Sequence, residues 1–292
     1  MVTFSVYTYL FSPVTEAEGV TFFPDEADLR SRYEMRHKAL DEFFEGKENL
    51  FHIETARQAY SCKMLLERDG VIVMRLANNK KKRREYHFEM LDDPDEPSCL
   101  LVLDNRPRGG QTVCIERRPA FGTPQVAATI LEEALNKFLL KFRLRVGVNA
   151  KYSTQSFWQT VDKHPGGIVK VNFSFPYPNM PEISDRIRHF EEIARETNSE
   201  PELILKGQHR ENLLLSPDNL FIIRAIEACA ASGKPILITP RAGRQAQVNV
   251  LKQVSEEAPD ALFEDLNRPD LFDSKFTLIL EFLKNIKLVY DA

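Results

Sequence analysis

Several chemistries are excluded by what this 292-residue chain lacks. Its four cysteines, Cys62, Cys99, Cys114 and Cys229, never stand within four residues of one another. Zinc ligands come in such close pairs, so no metal site is expected. Each cysteine falls in an apolar stretch and reads as a small buried hydrophobe of a reducing compartment. The six histidines are scattered, without His-x-x-x-His or His-Glu-x-x-His spacing. No Walker A loop, Gly-x-Gly-x-x-Gly or Gly-x-Ser-x-Gly occurs. No apolar run approaches the roughly 18 residues of a membrane span. The N-terminal Met1-Val2-Thr3-Phe4-Ser5-Val6-Tyr7 alternates like a strand and lacks the parts of a signal peptide. A cytoplasmic protein without membrane contact or cofactor is the expectation.

Glycine is scarce: twelve, against twenty phenylalanines, which favours a packed interior. The net charge of −4 excludes a bulk polycation. Any nucleic-acid contact must come from a local patch.

What is present alternates strands with helices. Val2, Phe4 and Val6 share one face of a first strand over residues 2–11. Pro24-Asp25-Glu26 opens a helix with Leu29, Tyr33, Leu40, Phe43 and Phe44 as its apolar stripe. Strands over 58–66 and 71–77 meet at Arg68-Asp69-Gly70, an Asp-Gly hairpin signal. A half-buried strand follows over 85–90. Asp92-Asp93-Pro94-Asp95-Glu96-Pro97 then interrupts the pattern and suggests a domain boundary, dividing the chain into 1–97 and 98–292. Beyond it lie a hairpin over 100–103 and 112–115, then a helix from Thr123-Pro124 with Ile130, Leu131, Ala134, Leu135, Phe138 and Leu139 at three-four spacing. Further strands are expected at 143–148, 168–175, 203–205, 213–215 and 234–239. Helices are expected at 153–161, from Pro181, from Ser216 to Ala231, and from Ser274. The recurring hairpins imply an α+β fold with mixed, mainly antiparallel sheets.

The run Lys80-Lys81-Lys82-Arg83-Arg84 stands out. Between two strand-like segments it reads as a hairpin tip, where exposed cations can converge on phosphates. Tyr86 and His87 follow and could stack on bases. Against that stands a charged turn that keeps an edge strand soluble, or a basic tip facing an acidic protein. Two other loops, Arg106-Pro107-Arg108-Gly109-Gly110 and Arg241-Ala242-Gly243-Arg244, pair arginine with glycine and would add phosphate contacts if they share its face.

One constellation resembles catalysis. Asp104 ends a strand and Glu116-Arg117-Arg118 ends the next. Metal-dependent nucleases of the restriction-endonuclease type place Asp and then Glu-x-Lys in this order to hold Mg²⁺ and activate water. Here Arg118 replaces lysine, and arginine cannot serve as a base. A non-catalytic protein is expected, with Asp104, Glu116 and Arg118 as the nuclease alternative.

The order Cys114-Ile115-Glu116-Arg117, the helix over 124–142, a strand, Phe157-Trp158, then Ile168 to Phe175 and Pro178-Asn179 is similar to that in prophage and anti-phage defence accessory proteins. Its strand–helix–strand order loosely resembles that of the phage-exclusion Rex proteins over roughly residues 99–240. The resemblance implies a DNA-associated or partner-dependent regulatory role, with a protein partner or homodimer, and carries over no functional residue. Two readings result: a nucleic-acid-contacting accessory protein of a mobile-element or phage-defence system, and a protein–protein adaptor or inhibitor.

Overall fold

The computed structural model describes residues 1–14, 35–56, 58–107, 111–164, 167–174, 201–208, 211–241, 248–249, 252–266, 268 and 271–290. The expected helix starts at Pro24 and Pro181, and Arg108 and Arg244, lie outside the described residues. The fold is α+β, with mainly antiparallel sheets.

Two compact units form, Met1–Val148 with Ser255–Ala292, and Asn149–Val254. The boundary expected at residues 97/98 therefore falls inside the first unit. The reason is local: Asp92–Pro97 does not break the sheet. Residues 92–95 belong to a strand paired on one edge, where Pro94 costs no hydrogen bond on the open side.

The first unit is built on a nine-stranded sheet. Its strands are β1 (Val2–Pro13), β2 (Asn49–Glu54), β3 (Ala59–Arg68), β4 (Val71–Tyr86), β5 (Glu89–Asp95), β6 (Ser98–Asp104), β7 (Thr112–Glu116), β8 (Leu144–Ala150) and, late in the chain, β15 (Ser255–Ala258). The main path runs β15-β1-β7-β6-β4-β3-β2, with β5 on β4 and β8 on β1. The β3–β4 turn forms as expected: Asp69 and Gly70 both have left-handed backbones, the geometry a two-residue hairpin requires. Strand β1 differs from the alternating expectation. Phe4, Val6, Tyr7, Tyr9 and Phe11 are all buried, because a central strand covered on both faces needs apolar side chains on both.

Among the described residues three α-helices pack in this unit. Helix α1 (Arg36–Phe44) buries Leu40, Phe43 and Phe44, the described part of the expected stripe. Helix α2 (Pro124–Leu139) starts with proline at its first turn, where the missing N–H has no partner, and buries Ile130, Leu131, Ala134, Leu135 and Leu139. The closing helix, α5 (Phe272–Tyr290), brings Phe282 against Phe4 and Phe263.

The second unit carries a four-stranded antiparallel sheet, β11-β10-β12-β13, made from β10 (Ile168–Ser174), β11 (Glu202–Lys206), β12 (Ile236–Pro240) and β13 (Val248–Asn249). A two-stranded piece pairs β9 (Tyr152–Ser153) with β14 (Lys252–Gln253). Helix α3 (Gln155–Asp162) contributes Phe157, and α4 (Leu220–Ser232) contributes Ile222, Ala225, Ile226 and Cys229 to a core with Val171, Phe173, Ile236 and Ile238. Asn219 caps α4, accepting from the Phe221 and Ile222 amides, and Gly233 ends it in the left-handed region. Trp158 packs edge-on against Phe157. Leu213–Leu215, expected as a strand, is irregular: the Leu213 amide bonds the Ile168 carbonyl, but no ladder forms.

Candidate functional site

The basic run is not a hairpin tip. It is the second half of β4, a strand of sixteen residues. Pairing with β3 stops at Asn79, opposite Ala59, and pairing with β6 stops at Ala77, opposite Ser98. From Lys80 onward β4 pairs with β5 alone, so residues 80–95 form a two-stranded ribbon that continues past the sheet.

The register brings the acids back against the bases. Lys80 stands opposite Asp95, Lys82 opposite Asp93 and Arg83 opposite Asp92, while Lys81 and Arg84 face Pro94 and Leu91. Opposite charges at directly opposed positions attract, by roughly 0.2–1 kcal/mol per pair. Within residues 80–95 five bases meet five acids, so the ribbon carries no net charge. The isolated cationic tip expected from the run is thereby corrected to a zwitterionic arm.

The true tip is His87-Phe88, and both residues have positive φ, 48° and 64°. Such a turn favours Asn-Gly, because a side chain in the left-handed region costs about 1–2 kcal/mol. A bulky phenylalanine sits there instead, 96% exposed. The ribbon's root is held firmly. Asn78 is buried, and its Nδ2 lies 3.2 Å from Gln58 Oε1 and 3.3 Å from the Phe121 carbonyl. Its backbone N–H donates to the Pro97 carbonyl at 2.9 Å.

The Arg106 loop does not join this ribbon. Arg106 sits beside the Gly70 turn, at the opposite end of β4, nine residues from Lys80 and so roughly 30 Å along the strand. Its guanidinium is engaged: Nε donates to Asp104 Oδ1 at 2.8 Å and Nη2 to Oδ2 at 2.7 Å. Arg241 belongs to the second unit, after β12.

The nuclease alternative fails on register. Asp104 pairs with Thr112, whereas Glu116 lies one step beyond the Leu101–Ile115 pair, level with Leu100. Four strand positions, roughly 13 Å, separate the two carboxylates, too far to share one ion. Asp104 is 2% exposed and consumed by Arg106; Glu116 accepts from the Leu100 amide at 2.8 Å. Arg118 lies past the strand and caps nothing catalytic: its carbonyl accepts from Phe121 and Gly122. Among the described residues no group of three or more His, Cys, Asp or Glu could hold a metal.

A polar cluster unmarked in the sequence lies between β1, β6 and α1. The buried Asn105 donates to the His37 carbonyl at 2.9 Å and to Asp41 Oδ1 at 2.6 Å. Its own Oδ1 accepts from the Tyr9 hydroxyl at 2.8 Å and meets His37 Nδ1 at 3.0 Å. Burial, with Asp104 and Asp41 nearby, pushes the Tyr9 phenol well above its ordinary range. A phenol so held keeps its proton and cannot act as a base, so the cluster fastens α1 to the sheet. No pattern could have flagged it, because Tyr9, His37 and Asn105 meet only through sheet order. The cysteines are buried, free thiols, and burial drives Cys99 and Cys229 to about 12, outside nucleophilic range.

No family model, no curated protein and no solved structure matches this chain.

Proposed function

We propose that this chain is a non-catalytic interaction protein that docks on a protein partner through the β4–β5 ribbon, with Phe88 as the anchor. The observation that carries this reading is Phe88 itself. It occupies a left-handed turn position that disfavours it, on an arm beyond the sheet, and 96% of it meets solvent. Strain and exposure at one residue, with no gain to the fold, mark a position kept for contact. Aromatic anchors dominate protein interfaces when they enter a partner's pocket. The neutral, alternating ribbon would supply a polar rim and set the docking register. The partner would offer an apolar pocket flanked by charges of both signs. The Rex-like layout fits such a partner-dependent role in phage defence, and that is the setting we assign to it.

Nucleic-acid contact is the second reading. One observation favours it: a two-stranded antiparallel ribbon is narrow enough for a major groove, and one strand of this ribbon carries Lys80 to Arg84. The three acids opposed to its bases, Asp92, Asp93 and Asp95, weigh against it.

Co-purification separates the two readings. The chain is isolated from its native cells alongside Phe88→Ser and a control, Leu278→Ser, altered at an exposed site on α5. A partner protein lost with Phe88→Ser but kept with the control is expected. Titrations of single- and double-stranded DNA and RNA against salt form the other arm. Binding with a steep salt dependence that vanishes when Lys80 to Arg84 become Ser would overturn the first reading for the second.

A further inference from the structure

The second unit gathers cations at one end of its sheet, none paired with an acid among the described residues. Because β10 runs antiparallel to both neighbours, its start lies beside the ends of β11 and β12. Lys170 of β10 stands directly opposite Lys206 of β11, and on its other side opposite Thr239 of β12. Lys206, Lys170 and Thr239 thus form one row across three strands, about 10 Å wide. Arg241 follows Thr239 by two residues.

Two lysines at directly opposed positions repel each other. A sheet ordinarily relieves this by placing an acid alongside. Among the described residues no acid pairs with Lys170 or Lys206. The nearest acid on this face of the ladder, Glu202, lies four positions along β11, where it faces Asn172 and Ser174 at 3.2 and 3.5 Å.

The surrounding loops are built rather than loose. The Arg241 amide donates to the Gly167 carbonyl at 3.0 Å, the Gly207 amide to the Val169 carbonyl at 2.9 Å, and the Leu213 amide to the Ile168 carbonyl at 2.7 Å. Gly167 has φ 88°, and a Cβ there would fall 2.1 Å from the Asn212 amide group, so only glycine lets Asn212 pack so closely. Asn212 Oδ1 in turn lies 3.5 Å from Arg241 Nη1, which directs the guanidinium from the same end of the sheet.

The geometry points to a phosphate-binding site at this end of the second unit, formed by Lys170, Lys206 and Arg241. The two lysines supply point charges and Arg241 a forked donor, the combination that holds a phosphoryl group. Thr239 adds a hydroxyl in the same row. The phosphate could come from a small polyphosphate or from a nucleic-acid backbone. This site stands apart from the ribbon reading and does not depend on it.

Calorimetric titration of the full chain at low salt tests the site with two probes, pyrophosphate and a short single-stranded oligonucleotide. Binding of at least one probe is expected, falling as salt rises. Lys206→Ser and the double variant Lys170→Ser/Lys206→Ser should weaken it at least tenfold. Arg241→Ser, outside the strands, gives a second variant whose folding is not in question and should weaken it similarly. Pyrophosphate binding lost in these variants identifies a small phosphate ligand. Oligonucleotide binding alone, lost in the same variants, identifies a backbone phosphate. If neither probe binds, or if binding survives both Lys206→Ser and Arg241→Ser, the assignment is wrong.

Discussion

Lys82 and Asp93 occupy directly opposed positions on β4 and β5, so the densest basic segment of the chain is folded onto its densest acidic segment. Replacing Lys80, Lys81, Lys82, Arg83 and Arg84 with Ser leaves three acids, Asp92, Asp93 and Asp95, without their opposed bases. Each lost pair removes roughly 0.2–1 kcal/mol from the ribbon and nothing from the sheet body. Amide exchange should therefore quicken over residues 80–95 while residues 71–77 keep their protection. Loss of protection in both segments would mean the ribbon is not a separable arm.

Replacing His87-Phe88 by Asn-Gly relieves two left-handed side-chain positions. Ribbon stability should rise by about 1–2 kcal/mol, read as slower exchange at residues 80–95. Partner binding should fall in the same variant. Gaining stability while losing function is the signature of a strained contact residue.

Asp104→Asn should destabilise the chain by on the order of 2 kcal/mol in a denaturant melt. The substitution removes the charge that holds Arg106 on both oxygens, and Arg106, 33% exposed, can turn partly to water. From sequence alone, a carboxylate crowding Glu116 would be neutral or better when replaced. The roughly 13 Å between them removes that repulsion. For the same reason Mg²⁺ or Mn²⁺ should bring no cleavage of DNA or RNA that depends on Asp104.

Leu135→Asp puts a charge on the fully buried face of α2. The penalty is several kcal/mol against a total stability of roughly 5–15 kcal/mol. The first unit, including strands from the N-terminal half, should unfold, because α2 packs within that unit. A soluble variant with a cooperative melt would contradict the helix face.

The raised Tyr9 phenol gives a pH dependence with a definite sign. Its folded pKa lies above the unfolded value, so its contribution is complete below about pH 10 and is lost as pH rises through the folded pKa. In a spectrophotometric titration the phenolate signal that Tyr9→Phe removes should rise only above the ordinary phenol range, and Tyr60 is displaced in the same direction. Ionisation of Tyr9 near pH 10 in folded protein would contradict the buried cluster.

The parts legible in the sequence are those where local chemistry and tertiary context agree. Asp69-Gly70 forms its turn, Pro124 starts its helix, and Gly233 ends another. The ribbon was illegible because charged residues disguise a strand: Lys80 to Arg84 carry no apolar alternation, yet β5 opposite makes the pairing favourable. Pro94 reads as a breaker but sits on an open edge that needs no donor. The turn at His87-Phe88 lacks every usual turn residue. The first unit's discontinuous make-up has no local signal either, because Ser255–Ala258 returns to pair with β1 across about 250 residues.

The central claim is tested most directly by a photo-crosslinking amino acid at position 88, irradiated in native cells. A discrete adduct that protease removes and nuclease leaves intact is predicted, with none from the same group at position 278. An adduct that nuclease removes, or equal labelling from both positions, would contradict the account.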